Sequence, residues 1–368
     1  MYTTYIFVTY ETILLKMIKL FLYPLSLIYR LVVSFRNFMY DSKILKSSDF
    51  KLPIISVGNI TVGGTGKTPH AEYIISLLKK EFSVAFLSRG YKRKTKGYLL
   101  ATMNSTLFDI GDEPVQIKQK FPEITVAVCE NRRKGIQKLI EDPTINKDVI
   151  ILDDAFQHRR VEPSINMLLL DYTQPVFEDT FLPYGRLRES LKAFHRANFI
   201  VVTKCPDHLQ PIEQRIYKNK LDIRPYQNLF FTSIHYGEIT PAEKGLSLFS
   251  DDLHRYTVLL ITGIGNPGPL VEYVEKQVGK IIHRSYPDHH SFKLSDIEQL
   301  KEEYNKIENP RKIIITTEKD MVRIKAVKNL PPDFTGFVYY IPIEIKFLDR
   351  SKESFNKKIL THVRENKS

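Results

Sequence analysis

The stretch PIISVGNITVGGTGKTPHAEYIISLLKK, residues 53–80, constrains the fold more than any other part of the chain. A short apolar run, 53–59, leads into a glycine-rich turn. A segment with Ile74, Leu77 and Leu78 on one side follows, and its spacing predicts a helix over 70–82. A glycine-rich turn between a strand and a helix exposes backbone N–H groups. Together with the helix N-terminus these cradle phosphate oxygens. The usual spelling is Gly, four residues, then Gly-Lys-Ser/Thr, and Thr61 stands here where the first glycine belongs. The strand-before and helix-after context is still the one a phosphate loop needs. Thr61, Val62, Gly63, Gly64, Thr65, Gly66, Lys67 and Thr68 are therefore read as a nucleotide-binding loop. Gly63, Gly64 and Gly66 supply conformations that a Cβ would obstruct. Lys67 would reach the β/γ-phosphates, and Thr68 would hold Mg²⁺. A purely structural glycine turn would leave Gly-Lys-Thr unexplained.

The rest of the first two-thirds alternates in the same way. Apolar strands are expected at 83–91, 124–130, 148–157, 165–171 and 197–204, with a helix over NRRKGIQKLIE. Continuous apolar strands separated by helices predict an α/β fold of the P-loop NTPase kind, a mostly parallel sheet covered on both faces. A linker is expected over about 225–256. A smaller C-terminal α/β domain should follow, with TVLLITGIGNPGPLVEYVE, a loop YPDHHSF, a helix at LSDIEQLKEEYNKIE and a strand KIIITTEKD. The basic tail after Lys346 reads as a solvated helix. The expected division is an N-terminal helix over 1–45, a P-loop domain over 46–230 and a smaller domain over 231–368.

In such sheets ligands sit at the carboxyl ends of the strands, where this chain places its singular residues. VIILDD supplies Asp153 and Asp154 as candidate Mg²⁺ carboxylates, with Asp154 preferred. Helix capping is the alternative for adjacent aspartates. GDEPVQI carries Asp112 and Glu113 before a helix; they can cap it, or Asp112 can act as the base for a hydroxyl acceptor. GRLRES offers Arg186 and Arg188 as clamps for phosphate or another anion, the alternative being a charged surface turn. PDHH, 287–290, suggests a histidine orienting a carboxylate across a domain cleft. The other carboxylate motifs of a two-metal phosphoesterase are not recognised beside it.

The N-terminus adds a surface. Spanning a bilayer takes ~20 consecutive apolar residues, and Glu11, Lys16, Lys19, Arg30 and Arg36 interrupt the run sooner. A secretory signal is a poor match, with no basic lead and no small-residue cleavage site. Lys19, Tyr23, Ser26, Arg30, Ser34 and Asn37 instead form one polar stripe at helical spacing, the remaining faces being nearly all apolar. Such a helix can lie in a membrane interface with its basic residues near lipid phosphates. A core helix packed on the protein is the competing reading. Pro24 is expected to kink the helix or to mark its start. Met17 is a second candidate start of translation, and the residues before it carry no readable motif. The net charge of +12, from 54 basic and 42 acidic residues, favours an anionic partner. Only Cys129 and Cys205 are present, which excludes a disulfide framework and fits a reducing compartment.

Taken in order, KLFLYPLSLIYRLVV, PIISVGNITVGGTGKTP, LSRGYKRK, GDEPVQI, NRRKG, ILDDAFQHRR, LPYGRLRES, GIGNP, PDHHSF and TTEKD resemble the tetraacyldisaccharide 4'-kinase (lipid A 4'-kinase) family, from about Met17 to about Arg323. The family's loop is spelled without the first glycine, so Thr61 is no objection; the lead before Met17 does depart from the pattern. The resemblance implies transfer of the γ-phosphate of ATP to the 4'-hydroxyl of tetraacyldisaccharide 1-phosphate in lipid A (lipopolysaccharide) biosynthesis. It implies a peripheral position on the cytoplasmic face of the bacterial inner membrane, with ATP and Mg²⁺ as cofactors, a lipid substrate and no nucleic-acid partner. It assigns Lys67 and Thr68 to the triphosphate and Mg²⁺, Asp153 and Asp154 to the metal, and Asp112 to the catalytic base. His289, taken before His290, would pair with Asp112, and Arg132, Arg133, Arg188 and Glu189 would line the site. Two other classes compete. One is a GTPase of a related P-loop branch, suggested by VVTKCPD, which has one residue too many between Lys204 and Asp207. The other is a non-enzymatic membrane module, which leaves the loop and the paired aspartates unexplained.

Overall fold

The computed structural model describes residues 2–243 and 252–367, with side chains from Phe21 onward. The chain forms two compact units. One comprises 1–87, 132–233 and 346–368, and the other comprises 88–131 and 234–345. The units are discontinuous in sequence. Residues 88–131, expected within the P-loop domain, pack instead with the C-terminal strands.

The first unit is built on parallel strands in the order Asn228–Tyr236, Phe199–Thr203, Ile165–Asp171, Ile54–Asn59, Val149–Asp153, Val84–Ser88. Ile54 pairs with Ile150 and Ile55 with Ile165, so the strand feeding the glycine loop is central. Every residue of Ile54–Asn59, Val149–Asp153 and Ile165–Asp171 is buried, which is why these strands read as unbroken apolar runs. The helix after the loop spans Lys67–Leu78 and starts directly on the loop, earlier than the periodicity indicated. It buries His70, Ala71, Ile74, Ile75 and Leu78, so Ile75 takes the place expected for Leu77.

Three further expectations are corrected. The region taken as a linker holds the nine-residue strand Asn228–Tyr236, whose Leu229, Phe230 and Phe231 pair in parallel with the 199–203 strand. The tail helix Ser351–Asn366 is not merely solvated: Phe355, Ile359 and Val363 are buried, and Phe355 packs edge-on against Phe199 and Phe230. The N-terminal helix runs over Tyr2–Asp41 with Pro24 inside it, so Pro24 does not mark its start.

That helix is held to its own unit by polar side chains. Ser26 donates to the Phe181 carbonyl (2.6 Å), Tyr29 to the Arg188 carbonyl (3.2 Å), Arg36 to the Gln157 carbonyl (2.7 Å) and Asn37 to the Glu189 carboxylate (2.9 Å). The Arg30 guanidinium lies over the Phe181 ring. Ser26 and Asn37 of the polar stripe, with Tyr29 and Arg36 beside it, thus bond acceptors of their own unit, and apolar residues face outward: Phe21 is 71% exposed, Leu31 70% and Phe35 64%. Lys19 lies outside the described side chains. No described helix is long and apolar enough to cross a membrane.

The second unit has a five-stranded sheet in the order Lys280–Ser285, Thr257–Thr262, Lys312–Thr317, Val338–Ile341, Thr240–Pro241, the last strand antiparallel and the others parallel. The expected strand 312–320 stops at Thr317, whose hydroxyl accepts from the Asp320 N–H and caps a helix over Glu318–Lys325. Ile110, Val115, Val128 and Val322 form a small apolar core that joins this helix to the Asp112–Lys120 helix. The packing of those two helices positions the carboxylate of Asp112.

Candidate active site

The first cluster lies in the first unit and surrounds the glycine loop. Gly63 (φ 108°) and Gly66 (φ 83°) adopt left-handed conformations that favour glycine, whereas Gly64 does not and has open space around its Cα. Neighbouring strands and loops fix the loop's course. Val62 N–H donates to the Arg186 carbonyl (2.9 Å) and Arg188 N–H to the Ile60 carbonyl (2.7 Å), with Thr61 bridged to Leu187. Asn59 Nδ2 donates to Thr65 Oγ1 (2.9 Å), and Thr203 Oγ1 donates to the Thr65 carbonyl (3.0 Å).

His70 Nδ1 lies 2.7 Å from the Gly66 carbonyl, and His70 Nε2 lies 3.1 Å from Thr232 Oγ1. A carbonyl only accepts, so Nδ1 carries the proton and Nε2 accepts from the threonine. Burial pushes the His70 pKa down to about 4, against a smaller opposing effect of the Gly66 bond, so the ring is neutral. The result is a loop whose backbone is tied down before any phosphate arrives. Lys67 opens the helix, and Thr68 follows it in the first turn.

Asp154 stands at the end of the Val149–Asp153 strand in a left-handed conformation (φ 44°) uncommon for a non-glycine residue. Its Oδ1 is 3.8 Å from Lys67 Nζ, and both its oxygens are 3.2 Å from Arg188 Nη1. Burial raises the Asp154 pKa, but Lys67, Arg188 and Arg132 outweigh it and hold the carboxyl below its ordinary value. Asp153 is buried, and its carbonyl accepts from Arg132 Nη2 (2.9 Å).

The other candidates of this unit divide. Arg188 joins the cluster through Asp154. Arg132 is buried behind it, on Asp153. Arg133 is exposed in the first turn of the Arg132–Glu141 helix. Glu189 is fully buried and bound by Arg196 (2.8 Å) and Asn37, which commits its carboxylate to holding the N-terminal helix. Arg186 pairs with Asp179 (2.8 Å) rather than turning to the loop.

One glycine missed by the sequence reading makes the cluster possible. A Cβ at Gly58 would stand 2.7 Å from Phe156 Cβ and 2.8 Å from its backbone nitrogen. The turn after Asp154 therefore presses against the strand that carries the loop. Gly58→Ala is expected to destabilise the fold by about 1–3 kcal/mol through this overpacking and to weaken ATP binding by shifting Asp154. Denaturant melts and ATP titration read both effects, and wild-type stability in the variant would refute the close approach.

The second cluster lies wholly in the second unit. His289 Nδ1 is 3.0 Å from Asp112 Oδ2, so the carboxylate and imidazole belong to one compact body, correcting the expectation that the histidine reaches Asp112 across a domain cleft. His289 (φ 58°) sits in the left-handed region, and its ring meets Tyr91 edge-on with centroids 5.6 Å apart. His290 turns away, stacking on Tyr286 and bonding Asp296 (3.0 Å). Arg323 also reaches Asp112 Oδ2, through Nη2 (2.7 Å) and Nε (3.2 Å), and Lys319 pairs with the adjacent Glu113 (3.3 Å). Burial raises the Asp112 pKa, but the His289 bond and the charges of Lys319 and Arg323 override it, holding the carboxyl well below its usual range.

Comparison with known proteins decides the family. The family model described as tetraacyldisaccharide-1-P 4'-kinase matches residues 18–364. The chain belongs to this family. Among curated relatives it is similar to the tetraacyldisaccharide 4'-kinase of Bacteroides thetaiotaomicron, at 45% identity over 94% of this chain and 93% of that one. The protein of the same name from Flavobacterium johnsoniae is 42% identical over 96% and 99% of the two chains. Among solved structures, the "apo" form of LpxK from Aquifex aeolicus in complex with ATP is 28% identical, with a TM-score of 0.71, covering 94% of this chain and 99% of that one.

Membership of this kinase family leaves the GTPase alternative without support. Lys204 of VVTKCPD is drawn to Asp171 (2.6 Å), at the end of its neighbouring strand. Gly58, His70, Lys319 and Arg323 were the site neighbours that sequence reasoning did not single out. Arg323 follows TTEKD by only three residues, so the motif was legible but its cation was not.

Proposed function

We propose that this protein transfers the γ-phosphate of ATP to the 4'-hydroxyl of tetraacyldisaccharide 1-phosphate, a step of lipid A biosynthesis at the cytoplasmic face of the inner membrane. The observation that carries the proposal is the combination of two prepared clusters: a phosphate loop with Lys67 facing an ionised Asp154, and a buried carboxylate bonded to an imidazole. Phosphoryl transfer needs just these parts, a cradle with cations for the triphosphate and a group to orient the attacking hydroxyl.

In this reading the backbone of 61–68 holds the phosphates and Lys67 neutralises charge on them as the bond to the leaving group lengthens. Arg188 steers Asp154 and adds positive charge beside it. Arg132 stiffens the Asp153 turn from behind. Arg133, exposed nearby in sequence, is available to an anionic substrate. Asp112 receives the hydrogen bond of the 4'-hydroxyl and takes its proton, and His289 fixes the carboxylate's orientation.

Mg²⁺ fits the residues present. Magnesium takes hard oxygen donors and is commonly held by one or two carboxylates plus substrate phosphates rather than by a full protein cage. The Thr68 hydroxyl, the ionised Asp154 carboxylate and Asp153 are such donors, and no three His, Cys, Asp or Glu side chains converge on a metal among the described residues. When bound, the ion would neutralise charge on the β- and γ-phosphate oxygens.

The outward apolar face of the N-terminal helix supports a peripheral seat on the membrane that carries the lipid substrate. Each fully buried large apolar side chain contributes roughly 1.5–3 kcal/mol, so Phe21, Leu31 and Phe35 together give a sizeable drive. Changing Leu31 and Phe35 to Ser is expected to reduce binding to phosphatidylethanolamine/phosphatidylglycerol vesicles by about tenfold or more while leaving Ser26, Asn37 and their bonds in place. Undiminished vesicle flotation of that variant would rule out this face as the anchor.

The function is tested by following labelled γ-phosphate from ATP to tetraacyldisaccharide 1-phosphate in detergent micelles, with GTP as a parallel donor. Label on the lipid from ATP supports the proposal. GTP hydrolysis without lipid product refutes it.

A further inference from the structure

We infer that Arg323 is a positioning residue for the phosphoryl-transfer reaction: it holds Asp112 so that Oδ1 is the oxygen left to receive the substrate hydroxyl. The inference rests on the proposed role of Asp112 as the base.

Asp112 Oδ2 is crowded by three N–H donors. Arg323 Nη2 is at 2.7 Å, Arg323 Nε at 3.2 Å and His289 Nδ1 at 3.0 Å. Oδ1 accepts one bond, from the Glu113 backbone N–H (3.0 Å). A carboxylate oxygen has about two good lone-pair directions, so Oδ2 is saturated and Oδ1 retains one. A rotation of the carboxylate would normally exchange the two oxygens. Here it would break two charge-assisted bonds to a guanidinium fork, which are the strong kind.

The fork itself cannot swing away. Arg323 Nη1 donates to the Gly263 carbonyl (2.9 Å) and to Asp320 Oδ1 (2.8 Å). Asp320 is in turn fixed by the Gly263 N–H (2.8 Å) and the Thr317 hydroxyl (2.8 Å). Asp320 is fully buried and Arg323 nearly so. The same Gly263 carbonyl accepts the His289 backbone N–H (3.2 Å), so the arginine and the histidine loop are pinned to one peptide. A Cβ at Gly263 would stand 2.9 Å from Asp320 Oδ1, leaving no room for a side chain between them.

The arrangement also fixes the imidazole. Arg323 Nη2 lies 3.0 Å from His289 Nδ1 as well as 2.7 Å from Asp112 Oδ2. Two donors approach this closely because their N–H groups converge on one anionic oxygen. Nδ1 therefore carries a proton directed at Asp112, and Nε2 lies 4.0 Å from the Asp288 carboxylate.

The charged groups facing Asp112 are thus Arg323 and Lys319 from the Glu318–Lys325 helix, with the titratable His289 from its loop. Glu113, beside it on its own helix, is paired with Lys319. A cation in contact lowers a carboxyl pKa by about 1–3 units. Loss of Arg323 should therefore raise the pH at which Asp112 protonates.

The test is the pH profile of kcat for the full-length enzyme with Arg323→Gln and Arg323→Lys, alongside Asp112→Ala. The expected result for Arg323→Gln is a fall in kcat of at least about tenfold, an unchanged KM for ATP, and an acid limb moved up by about 1–3 pH units. Arg323→Lys keeps the charge and loses the fork, so kcat should fall while the limb moves less. If Arg323→Gln does not fold, as read by its thermal melt, Arg323→Lys carries the test: near-wild-type kcat there overturns the inference. A lowered kcat with an unmoved acid limb in a folded Arg323→Gln would also overturn it, reducing Arg323 to a packing role. Near-normal turnover in Asp112→Ala would instead remove Asp112 as the base, and the inference with it.

Discussion

Lys67→Ala is expected to cut phosphoryl transfer by about 10²–10³-fold, the usual loss when one preorganised donor to a transition-state anion is removed. The side chain is 14% exposed and its nearest anion is Asp154 Oδ1 at 3.8 Å, a long and partly solvated pair. Such pairs contribute little to stability, about 0–1 kcal/mol. The ammonium is therefore held for a ligand more than for the fold, and the variant should melt near the wild-type temperature. Asp154 would keep Arg188 at 3.2 Å, so its carboxylate is not stranded. The backbone cradle would also survive, since Asn59, Thr203 and His70 fix it without Lys67. ATP should still bind, more weakly, and kcat should bear most of the loss. Turnover within tenfold of wild type, in a variant shown to be folded, would put the phosphate contact elsewhere.

The parts of this site that were legible in the sequence are those whose signal is local. Gly-Lys-Thr after an apolar run, and two aspartates at the end of another, each announce a strand end by spacing alone, and strands 54–59 and 149–153 are in fact neighbours. The parts that were not legible depend on distant partners. Arg323 lies 211 residues from Asp112, and nothing in its own helix distinguishes it from a surface arginine. His70 looked like an ordinary helix residue because its partner Thr232 belongs to a segment read as a linker. The N-terminal helix gives the clearest physical case. Periodicity locates its polar stripe but not which way the stripe faces. Ser26, Tyr29, Arg36 and Asn37 turn inward because Phe181, Arg188, Gln157 and Glu189 offer acceptors, a fact that only the folded loop contains. Residues 88–131 changed company for a similar reason: Val115 and Val128 complete an apolar core with Val322, far along the chain.

Asp112→Ala should lower kcat by about 10²–10⁴-fold, the range for a positioned acid–base group, while ATP affinity stays near wild type because the phosphate loop belongs to the other unit. The variant removes the anion on which Arg323 and His289 converge, which invites the objection that it would unfold the second unit. The bonding argues otherwise. Arg323 keeps Asp320 and the Gly263 carbonyl, so its charge is not left unpaired. With the carboxylate gone, Arg323 Nη2 at 3.0 Å can donate to His289 Nδ1, provided the imidazole proton moves to Nε2. The apolar contacts of Ile110, Val115, Val128 and Val322 are untouched. Asp112→Asn separates the two explanations further. It keeps the shape and can still hold a hydroxyl by donating from its amide nitrogen, its oxygen being taken by Arg323 and His289, but it cannot accept a proton. If orientation is the whole contribution, Asp112→Asn should recover much of the activity lost in Asp112→Ala. If proton acceptance carries the rate, the two variants should be equally slow. The low pKa enforced by His289, Lys319 and Arg323 keeps Asp112 ionised through the neutral range, so wild-type kcat should show no acid limb from this group near neutral pH. An acid limb near neutrality that disappears in Asp112→Asn would show that His289, Lys319 and Arg323 do not control this carboxyl as their distances require.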